Sequence, residues 1–298
     1  MLVPHDMKGQ IIGVLGLGGS GLAAVAALDA AGAHVFAFDD VKSQQDIPQI
    51  TLTSWRDWPW EDLEAMVISP GIPHNYPMPH PAAAHAHRRQ IPIISEVELA
   101  LRAKPKARLV AITGTNGKST TTALIGHCLQ TAKCPVAIGG NLGDAACSLD
   151  DPGEHGILVL ELSSYQLETT PSLKPSISIL LNISPDHLDR HGGMAGYIAA
   201  KNLVLDRLDK PSIAIIGAGD EHVQTLAKLT AARGIKTLIA SPDLAPIGQK
   251  GSTALAGTHN AENAAAAALA LHTIGLDDQV INRGISSFTN LPHRLQRV

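Results

Sequence analysis

Short apolar runs alternate with helix-compatible segments along most of the chain. Each apolar run that ends in glycine or polar residues predicts a buried strand. We expect strands at residues 11–15, 34–38, 66–68, 91–94, 109–112, 135–138, 156–160, 177–181, 212–216 and 237–239. Helical patterns lie between and after these runs, and the alanine-rich segment 263–274 predicts a further helix. Repeated strand–helix alternation predicts an α/β fold with mostly parallel sheets and helices on both faces.

A polar, proline-containing stretch divides the chain into two series of strands. Apolar periodicity lapses between about residues 95 and 107, where the sequence KPKAR precedes the next apolar run. Exposed polar linkers of this kind separate domains. We therefore predict a Rossmann-like N-terminal domain at residues 1–95 and a P-loop ATPase-like domain at residues 96–298.

Composition narrows the class of protein. The 298 residues are 45% apolar and carry a net charge of −4, with 3% aromatic residues, which argues against a nucleic-acid binder. We see no run of 18 apolar residues, so we expect no membrane span, and the N-terminal sequence MLVPHDMKGQ does not resemble a signal peptide. The three cysteines form no CxxC motif, so we expect buried free thiols and a cytoplasmic protein.

The second series of strands opens with a glycine loop, ITGTNGKST, that predicts phosphate binding. Gly114 and Gly117 allow backbone N–H groups to face a phosphate, and the following helix N-terminus adds unpaired donors. Lys118 supplies a charge to the outer phosphates, and Ser119 supplies a hydroxyl for Mg²⁺. The general motif GxxxxGKS/T is incomplete, since its first glycine would fall at Ile112, so an ordinary glycine turn is the alternative.

Another glycine motif, GLGGSG at residues 16–21, follows the first predicted strand. The second strand ends in Asp39, about 20 residues beyond the glycines, and this order is the dinucleotide fingerprint. The third strand runs into SPGIP, which places Ser69 and Gly71 at the carboxyl edge of the sheet, where ligands bind in open α/β sheets. A turn or loop without a ligand is the alternative for both segments.

Three polar residues at strand ends or on helices are candidates for chemistry. Glu161 ends an apolar strand, where it could hold a phosphate-bound Mg²⁺ or cap a helix. His187 could be a metal ligand or a capped core histidine. Lys201 lies on a predicted helix at 197–208, and composition alone favours a solvated lysine.

Near the end of the chain, two asparagines and an arginine are further candidates. Asn260 and Asn263 come before or within the first turn of the alanine-rich helix, where asparagine is a common cap. Arg294 follows a proline, and its guanidinium suits bidentate phosphate contact.

Several motifs occur in one order and resemble the Mur ligases, a family of ATP-dependent amide ligases. They are GTNGKST, GGNLG, ELSSYQLE, LNISPDHLDRH, YIAAK, GTHNAEN and FTNLPHRLQ. The segments GLGGSG, SPGIP and LPHR resemble the branch of the family that adds D-glutamate to UDP-N-acetylmuramoyl-L-alanine in peptidoglycan precursor synthesis. The resemblance covers nearly the whole chain. It implies that the N-terminal domain binds UDP and that the central domain binds ATP.

The resemblance also implies a reaction and a role for each matching residue. ATP and the substrate carboxyl would form an acyl phosphate, which the amine of D-glutamate would attack. The implied catalytic residues are Lys118, Glu161, His187 and Lys201. Ser119 and Glu161 would hold one Mg²⁺, and His187 with a carbamylated Lys201 would hold a second.

The implied binding residues fall into two sets. ATP would contact Gly114, Thr115, Asn116, Gly117, Lys118, Ser119, Thr120, Asn260, Asn263 and Arg294. The UDP-linked substrate would contact Gly16, Gly18, Ser20, Gly21, Asp39, Ser69, Gly71, Asn141, Ser163 and Gln166.

In the family a third, C-terminal domain binds the amino acid and closes over ATP. It would begin where this sequence ends, at Val298. We therefore expect this domain to be absent, and we expect a monomer that binds UDP ligands but has little or no ligase activity by itself.

Two functions of other classes are alternatives. An NAD-dependent oxidoreductase would use GLGGSG and Asp39, but it leaves the second glycine loop and Glu161 without a role. A P-loop NTPase switch would use GTNGKST, but it leaves the first domain unexplained. Binding of NADH or of UDP would distinguish them. Folylpolyglutamate synthetase, from the same superfamily, would share the phosphate loop without the N-terminal GLGGSG and SPGIP.

Overall fold

The structure, a computed structural model, describes residues 1–141, 143–251 and 253–289. Its strands form two sheets, and the paired strands within each run parallel. The first sheet contains β1 (Ile11–Leu15), β2 (His34–Phe38), β3 (Leu63–Ile68) and β4 (Ile93–Ile94). Their spatial order is β2-β1-β3-β4, which places β1 and β3 in the centre.

The second sheet is larger, and its central strands precede the polar motifs. It contains β5 (Arg108–Thr113), β6 (Val136–Gly140), β7 (Ile157–Glu161), β8 (Ile177–Leu180), β9 (Ile213–Gly217) and β10 (Lys236–Ala240). The order is β10-β9-β8-β5-β7-β6. Strand β5 therefore lies between β7 and β8, with Ile112 opposite Glu161 and Thr113 opposite Leu180. Because the strands are parallel, their carboxyl ends meet at one edge.

Helices connect the strands. They are α1 (Gly19–Ala31), α2 (Pro81–Arg88), α3 (Glu96–Arg102), α4 (Lys118–Thr131), α5 (Ser164–Glu168), α6 (Met194–Asp206), α7 (Glu221–Ala232), α8 (Ile247–Gly251), α9 (Thr258–Ile274) and α10 (Asp278–Ser287). Short 3₁₀ turns occupy His5–Met7, Trp55–Asp57, Ala146–Ser148, Leu188–His191, Pro242–Leu244 and Thr253–Leu255. The predicted α/β class with parallel sheets is confirmed.

Most strand predictions are confirmed, and the differences lie at element ends. β4 is only two residues long, because Pro92 follows Ile91 at its start and restricts pairing there. α4 begins at Lys118, so that its first turn directly follows the glycine loop.

A continuous hydrophobic core joins the two sheets. Buried side chains of the first sheet, such as Ile12 and Val67, belong to the same cluster as Val97 on α3, Leu158 on β7 and Val204 on α6. A second cluster lies on the other face of the larger sheet, under α4 and α9, and a third lies under the smaller sheet. Burial of apolar surface therefore extends across the boundary region near α3.

All three cysteines are free thiols. Cys128 and Cys147 are buried as predicted, whereas Cys134 is partly exposed, so the prediction of burial is wrong for that residue. Burial raises the pKa of the Cys128 thiol to about 12, which keeps it protonated at neutral pH. Among the described residues, no helix combines the length and apolar character needed to cross a bilayer.

Candidate nucleotide and phosphate sites

The phosphate loop joins β5 to α4 and leaves the start of the helix open. Gly117 has φ +83°, and a Cβ at this position would lie 2.2 Å from Asn263 Oδ1, so only glycine fits. Within the described residues, no side chain caps α4, and its first N–H groups can face an anion. The Lys118 Nζ donates to the carbonyls of Gly114 and Thr115, at 2.9 and 2.8 Å.

Asn182 braces this loop, and sequence analysis gave it no role. The N–H of Asn116 donates to Asn182 Oδ1 at 2.8 Å, and Asn182 Nδ2 donates to the carbonyl of Asn116 at 3.1 Å. The N–H of Thr115 also donates to the Asn182 carbonyl at 2.9 Å. Asn182 directly follows the predicted strand at 177–181, and that position at a sheet edge is the signal that could have found it.

Glu161 ends β7 one strand away from the phosphate loop. Its side chain is buried, and Asn141 Nδ2 donates to its Oε1 at 2.8 Å. The other oxygen, Oε2, is also buried and has no hydrogen-bond partner among the described residues. The alternative of a helix cap is wrong, because Ser163 caps α5. A buried carboxylate oxygen without a donor fits a cation as its partner.

Lys201 is buried and not solvated, so the interpretation from composition alone is wrong. Its Nζ donates to the Gly114 carbonyl at 2.8 Å and lies 4.7 Å from the centroid of the Tyr197 ring. Burial, and then the nearby charge of Lys118, lower the pKa of Lys201 from 10.5 to about 7. A large fraction of this amine is therefore neutral near pH 7.

His187 is exposed, so the alternative of a core histidine is also wrong. More than half of its side chain is accessible, and its Nε2 lies 3.5 Å from Asp186 Oδ2. Its backbone adopts the left-handed region, with φ 50°, which is uncommon for a residue other than glycine. The ring lies 5.6 Å from that of Tyr165.

A cavity of about 290 Å³ brings several of the predicted residues together. It is lined by Pro70, Gly71, Lys118, Asn141, Ser163, Ser164, Tyr165, Asp186, His187, Tyr197 and Lys201. The described residues contain no group of three or more His, Cys, Asp and Glu side chains placed to hold a metal ion. The predicted ligand sets, Ser119 with Glu161 and His187 with a carbamylated Lys201, each contain only one residue of these four types. They therefore do not form such a group.

A second cavity, of about 410 Å³, lies on the other side of the phosphate loop. Its lining includes Asn116, Gly117, Thr120, Asn182, Ile183, Ser184, Gly219, Asp220, His259, Asn260, Glu262 and Asn263. Asn260 and Asn263 lie inside the first turns of α9, whose N-cap is Gly257, so their interpretation as caps is wrong. Sequence analysis missed Asp220 and Glu262. Arg294 lies outside the described residues.

The first glycine turn is also tightly built. Gly16 has φ +87°, and a Cβ at Gly21 would lie 1.8 Å from the Gly16 carbonyl oxygen. Asp39 accepts hydrogen bonds from the N–H groups of Leu17 and Lys42, at 2.6 and 2.8 Å. Burial raises the pKa of Asp39, but these backbone bonds outweigh it and hold the pKa below the usual value. Asp39 therefore braces the turn as a carboxylate.

A third cavity, of about 400 Å³, opens at this turn. Its lining comprises Gly16, Gly18, Gly19, Ser20, Asp39, Asp40, Val41, Ser69, Pro70, Gly71 and Ile72. Ser69 Oγ donates to the Gly16 carbonyl at 2.8 Å. Pro70 and Gly71 line both this cavity and the one at Lys118 and Lys201, so the two cavities are neighbours that share a wall.

Two predicted substrate residues form a helix cap. The N–H of Gln166 donates to Ser163 Oγ at 3.3 Å, and Gln166 Oε1 accepts from the N–H and hydroxyl of Ser163, each at 3.0 Å. Ser163 lines the cavity at Lys201, whereas Gln166 is buried and lies outside the linings of the three cavities described. The structure thus gives Gln166 a supporting position behind Ser163.

Two parallel sheets, each with a glycine-bent turn at its carboxyl edge and a cavity beside it, define an α/β protein of two sheet-containing parts. Solved Mur ligases share this fold. One is a UDP-N-acetylmuramate:L-alanyl-γ-D-glutamyl-meso-diaminopimelate ligase from Neisseria meningitides, with a TM-score of 0.63 and 16% identity over 95% of this chain and 99% of that chain. Another is UDP-N-acetylmuramate–alanine ligase from Thermotoga maritima, with a TM-score of 0.55 and 20% identity over 94% of this chain and 69% of that chain.

Sequence comparison defines the family more narrowly. Residues 112–245 match the Mur ligase middle domain. The chain is 42% identical to a UDP-N-acetylmuramoylalanine–D-glutamate ligase from Rhodospirillum rubrum, over the whole chain and 69% of that protein. It is 40% identical to the enzyme of the same name from Sphingopyxis alaskensis, again over the whole chain and 69% of that protein. The chain belongs to the Mur ligase family, in the branch of these D-glutamate ligases.

Proposed function

We propose that this protein joins D-glutamate to UDP-N-acetylmuramoyl-L-alanine in an ATP-dependent step of peptidoglycan precursor synthesis. Relatives of that name at 37–42% identity support the assignment. The observation that carries it is the shared wall: the cavity at the first glycine turn and the cavity at Lys118 and Lys201 both use Pro70 and Gly71. One extended substrate can therefore present its diphosphate to the first glycine turn and its carboxyl to the cavity beside Lys118.

The reaction needs concentrated positive charge beside the phosphate loop. The substrate carboxylate attacks the γ-phosphoryl group of ATP, ADP leaves, and an acyl phosphate forms. The amine of D-glutamate then attacks the acyl carbon and releases inorganic phosphate. Lys118 and the open N-terminus of α4 hold the β- and γ-phosphates, where they offset the charge of the moving phosphoryl group.

Mg²⁺ is part of the proposal, and the residues present fit it. Ser119 and Glu161 would hold one ion, and the buried Oε2 of Glu161, which lacks a donor, supports this assignment. His187 and a carbamylated Lys201 would hold a second. Few protein ligands suffice, because Mg²⁺ takes much of its shell from phosphates and water. Bound there, Mg²⁺ would neutralise phosphate charge and orient the reacting oxygens.

Carbamylation of Lys201 is also proposed. The neutral Nζ would attack CO₂, form an N–C bond and lose a proton, which gives an anionic carbamate. Burial against the Gly114 carbonyl and a pKa of about 7 support this step, since an ammonium cannot attack CO₂. ¹³C NMR in labelled bicarbonate should give a carbamate signal that the Lys201→Arg variant lacks. A spectrum unchanged by that substitution would remove the carbamate from the proposal.

The remaining residues contact the nucleotides and the peptide end of the substrate. We propose that UDP contacts Gly16, Gly18, Ser20, Gly21, Asp39, Ser69 and Gly71, while Asn141, Ser163 and Gln166 serve the muramoyl-alanine part. Asn260, Asn263 and Arg294 would serve ATP. We propose a UDP-binding domain at residues 1–95 and an ATP-binding domain from residue 96, in a monomeric cytoplasmic protein.

Calorimetry tests the proposal. UDP-N-acetylmuramoyl-L-alanine should bind more tightly with a non-hydrolysable ATP analogue and Mg²⁺ than without Mg²⁺. The Lys118→Met variant should lose about tenfold or more in affinity for the analogue, whereas the control Lys228→Met, on the exposed face of α7, should not. NADH should cause no fluorescence change. Absence of UDP-ligand binding, or a saturable response to NADH, would contradict the proposal.

A further inference from the structure

Arg190 connects the two sheets at Pro70 and Gly71, the wall shared by the cavity at the first glycine turn and the cavity at Lys201. It lies in the 3₁₀ turn Leu188–His191, which follows β8 and precedes α6. Its Nη1 donates to the Gly71 carbonyl at 3.0 Å, and its Nη2 donates to the Pro70 carbonyl at 3.3 Å. The two acceptors follow β3 of the first sheet. One side chain of the second sheet thus holds two successive carbonyls of the first.

Side-chain packing around Gly71 is sparse. Gly71 is exposed, and a Cβ at that position would meet nothing within 4 Å among the described residues. Gly71 therefore contributes no side-chain contact that would fix its carbonyl relative to the second sheet. The two hydrogen bonds from Arg190 tie this exposed turn to the second sheet, and the contact of His74 Nε2 with Glu168 Oε2, at 3.6 Å, lies a few residues further along.

The guanidinium is itself held in one orientation. Its carbon atom lies 4.5 Å from the centroid of the Tyr165 ring, and Tyr165 stacks on His191 with an angle of 7° between the rings. Tyr165 lines the cavity at Lys201. A planar guanidinium stacked on an aromatic ring is preorganised for a two-point contact, which a lysine ammonium cannot reproduce.

We propose that Arg190 is a positioning residue that sets the distance between the two phosphate-binding turns. By holding Pro70 and Gly71, it aligns the two cavities for a ligand that spans both, which is a nucleoside diphosphate joined to a carboxylate-bearing group. This inference rests on the proposed function. Arg190 contacts the protein wall, so its effect reaches the ligand only through Pro70 and Gly71.

Two kinds of ligand should respond differently to a displacement of Pro70 and Gly71. UDP alone occupies the cavity at the first glycine turn. Its binding therefore does not depend on the distance to the cavity at Lys201. UDP-N-acetylmuramoyl-L-alanine must fit both cavities. A displacement of Pro70 and Gly71 should therefore weaken binding of this ligand more than binding of UDP. The measured quantity is therefore the ratio of the two affinities, which a general loss of folding would leave unchanged.

Calorimetry on Arg190→Gln and Arg190→Lys, with UDP and with UDP-N-acetylmuramoyl-L-alanine, tests this. In Arg190→Gln the preference for the longer ligand should fall about tenfold, while the Kd for UDP stays within about twofold of the wild type. Arg190→Lys keeps the positive charge but cannot donate two parallel hydrogen bonds. Its preference for the longer ligand should lie between those of the wild type and Arg190→Gln. The control is Arg233→Gln, because Arg233 also donates to backbone carbonyls, those of Leu205, Asp206 and Leu208 at the end of α6.

The outcomes are distinct. Equal losses for both ligands, or unchanged affinity for both, would overturn the role of Arg190. Failure of the wild-type protein to bind either ligand would instead overturn the proposed function. If Arg190→Gln does not fold, as judged by thermal melting, the ratio measured for Arg190→Lys decides.

Discussion

Lys201 and Glu96 are both buried ionisable residues, and burial moves the pKa of each toward neutrality. Lys201 lies in the candidate site, against the carbonyl of Gly114. Glu96 begins α3, outside the three cavities described, and its carboxyl lies against the Ala146–Ser148 turn. Desolvation by burial therefore acts on a residue inside the candidate site and on one outside it, and each pKa shift makes the stability of the fold depend on pH.

Glu96 has few partners for a charge. The N–H of Cys147 donates to its Oε2 at 3.1 Å, while Oε1 is buried without a hydrogen-bond partner among the described residues. Burial raises the pKa of Glu96 from 4.5 to about 7, although backbone hydrogen bonds from Cys147 and Ala146 oppose the shift. The folded protein thus binds a proton at pH values where the unfolded chain has released it.

This shift predicts a loss of stability as pH rises. Between about pH 4.5 and 7 the folded state holds more protons than the unfolded state, so the free energy of unfolding should fall by roughly 3 kcal/mol relative to the variant Glu96→Gln. Above pH 7 the difference should level off. Urea unfolding at a series of pH values measures it, with Glu64→Gln, on an exposed side chain, as the control. A constant difference between wild type and Glu96→Gln would contradict the prediction.

At the scale of elements, the phosphate loop depends on the segment after β8. The loop follows β5, yet the side chain of Asn182 pairs with the backbone N–H and carbonyl of Asn116. Thr115 adds a further link, because its hydroxyl donates to the Ser184 carbonyl at 3.1 Å. The shape of the loop is therefore set by two neighbouring strands together.

Removal of the Asn182 side chain should weaken binding of an ATP analogue but not binding of UDP. Asn182→Ala deletes two hydrogen bonds of about 1 kcal/mol each, so affinity for an ATP analogue should fall by about 30-fold. Affinity for UDP should remain unchanged. Asn202→Ala, which removes an exposed contact with Asp206 on α6, is the control. Equal affinity of wild type and Asn182→Ala for the analogue would show that the loop holds its shape without the brace.

Sequence patterns predicted the strands and both glycine turns, because buried parallel strands are short apolar runs and the turns require glycine. They gave no role to Asn182 or Arg190, whose partners lie 66 and 119 residues away along the chain. Composition misjudged the burial of Lys201, and the sequence left open whether His187 is a core residue. The burial of Lys201 and the exposure of His187 depend on how α6 and the Leu188–His191 turn pack, and local composition carries no information about that packing.

At the scale of the whole molecule, the two sheets share one core. The cluster that contains Ile12 and Val67 also contains Leu158 and Val204, with Val97 of α3 in the same cluster. Contact through buried apolar side chains couples the stability of one sheet to that of the other. Separation of the sheets would expose this surface to water.

We therefore predict one cooperative unfolding transition. The three tryptophans, Trp55, Trp58 and Trp60, all lie beside the first sheet, so their fluorescence follows that part, whereas far-UV circular dichroism follows both sheets. The two thermal curves should coincide. UDP at 100 times its Kd should stabilise the protein by about 2.7 kcal/mol and shift both curves equally. A fluorescence curve that shifts while the dichroism curve stays in place would show that the sheets unfold independently.

The central place of β5 has a consequence for how the protein is made. Both of its neighbours, β7 and β8, are translated later than β5 itself, and the brace at Asn182 comes after them. During synthesis the loop at Gly114–Gly117 must leave the ribosome long before the residues that shape it. The loop therefore reaches the shape described here only after β8 and Asn182 have emerged, and until then the apolar strand β5 lacks both of its partners in the sheet.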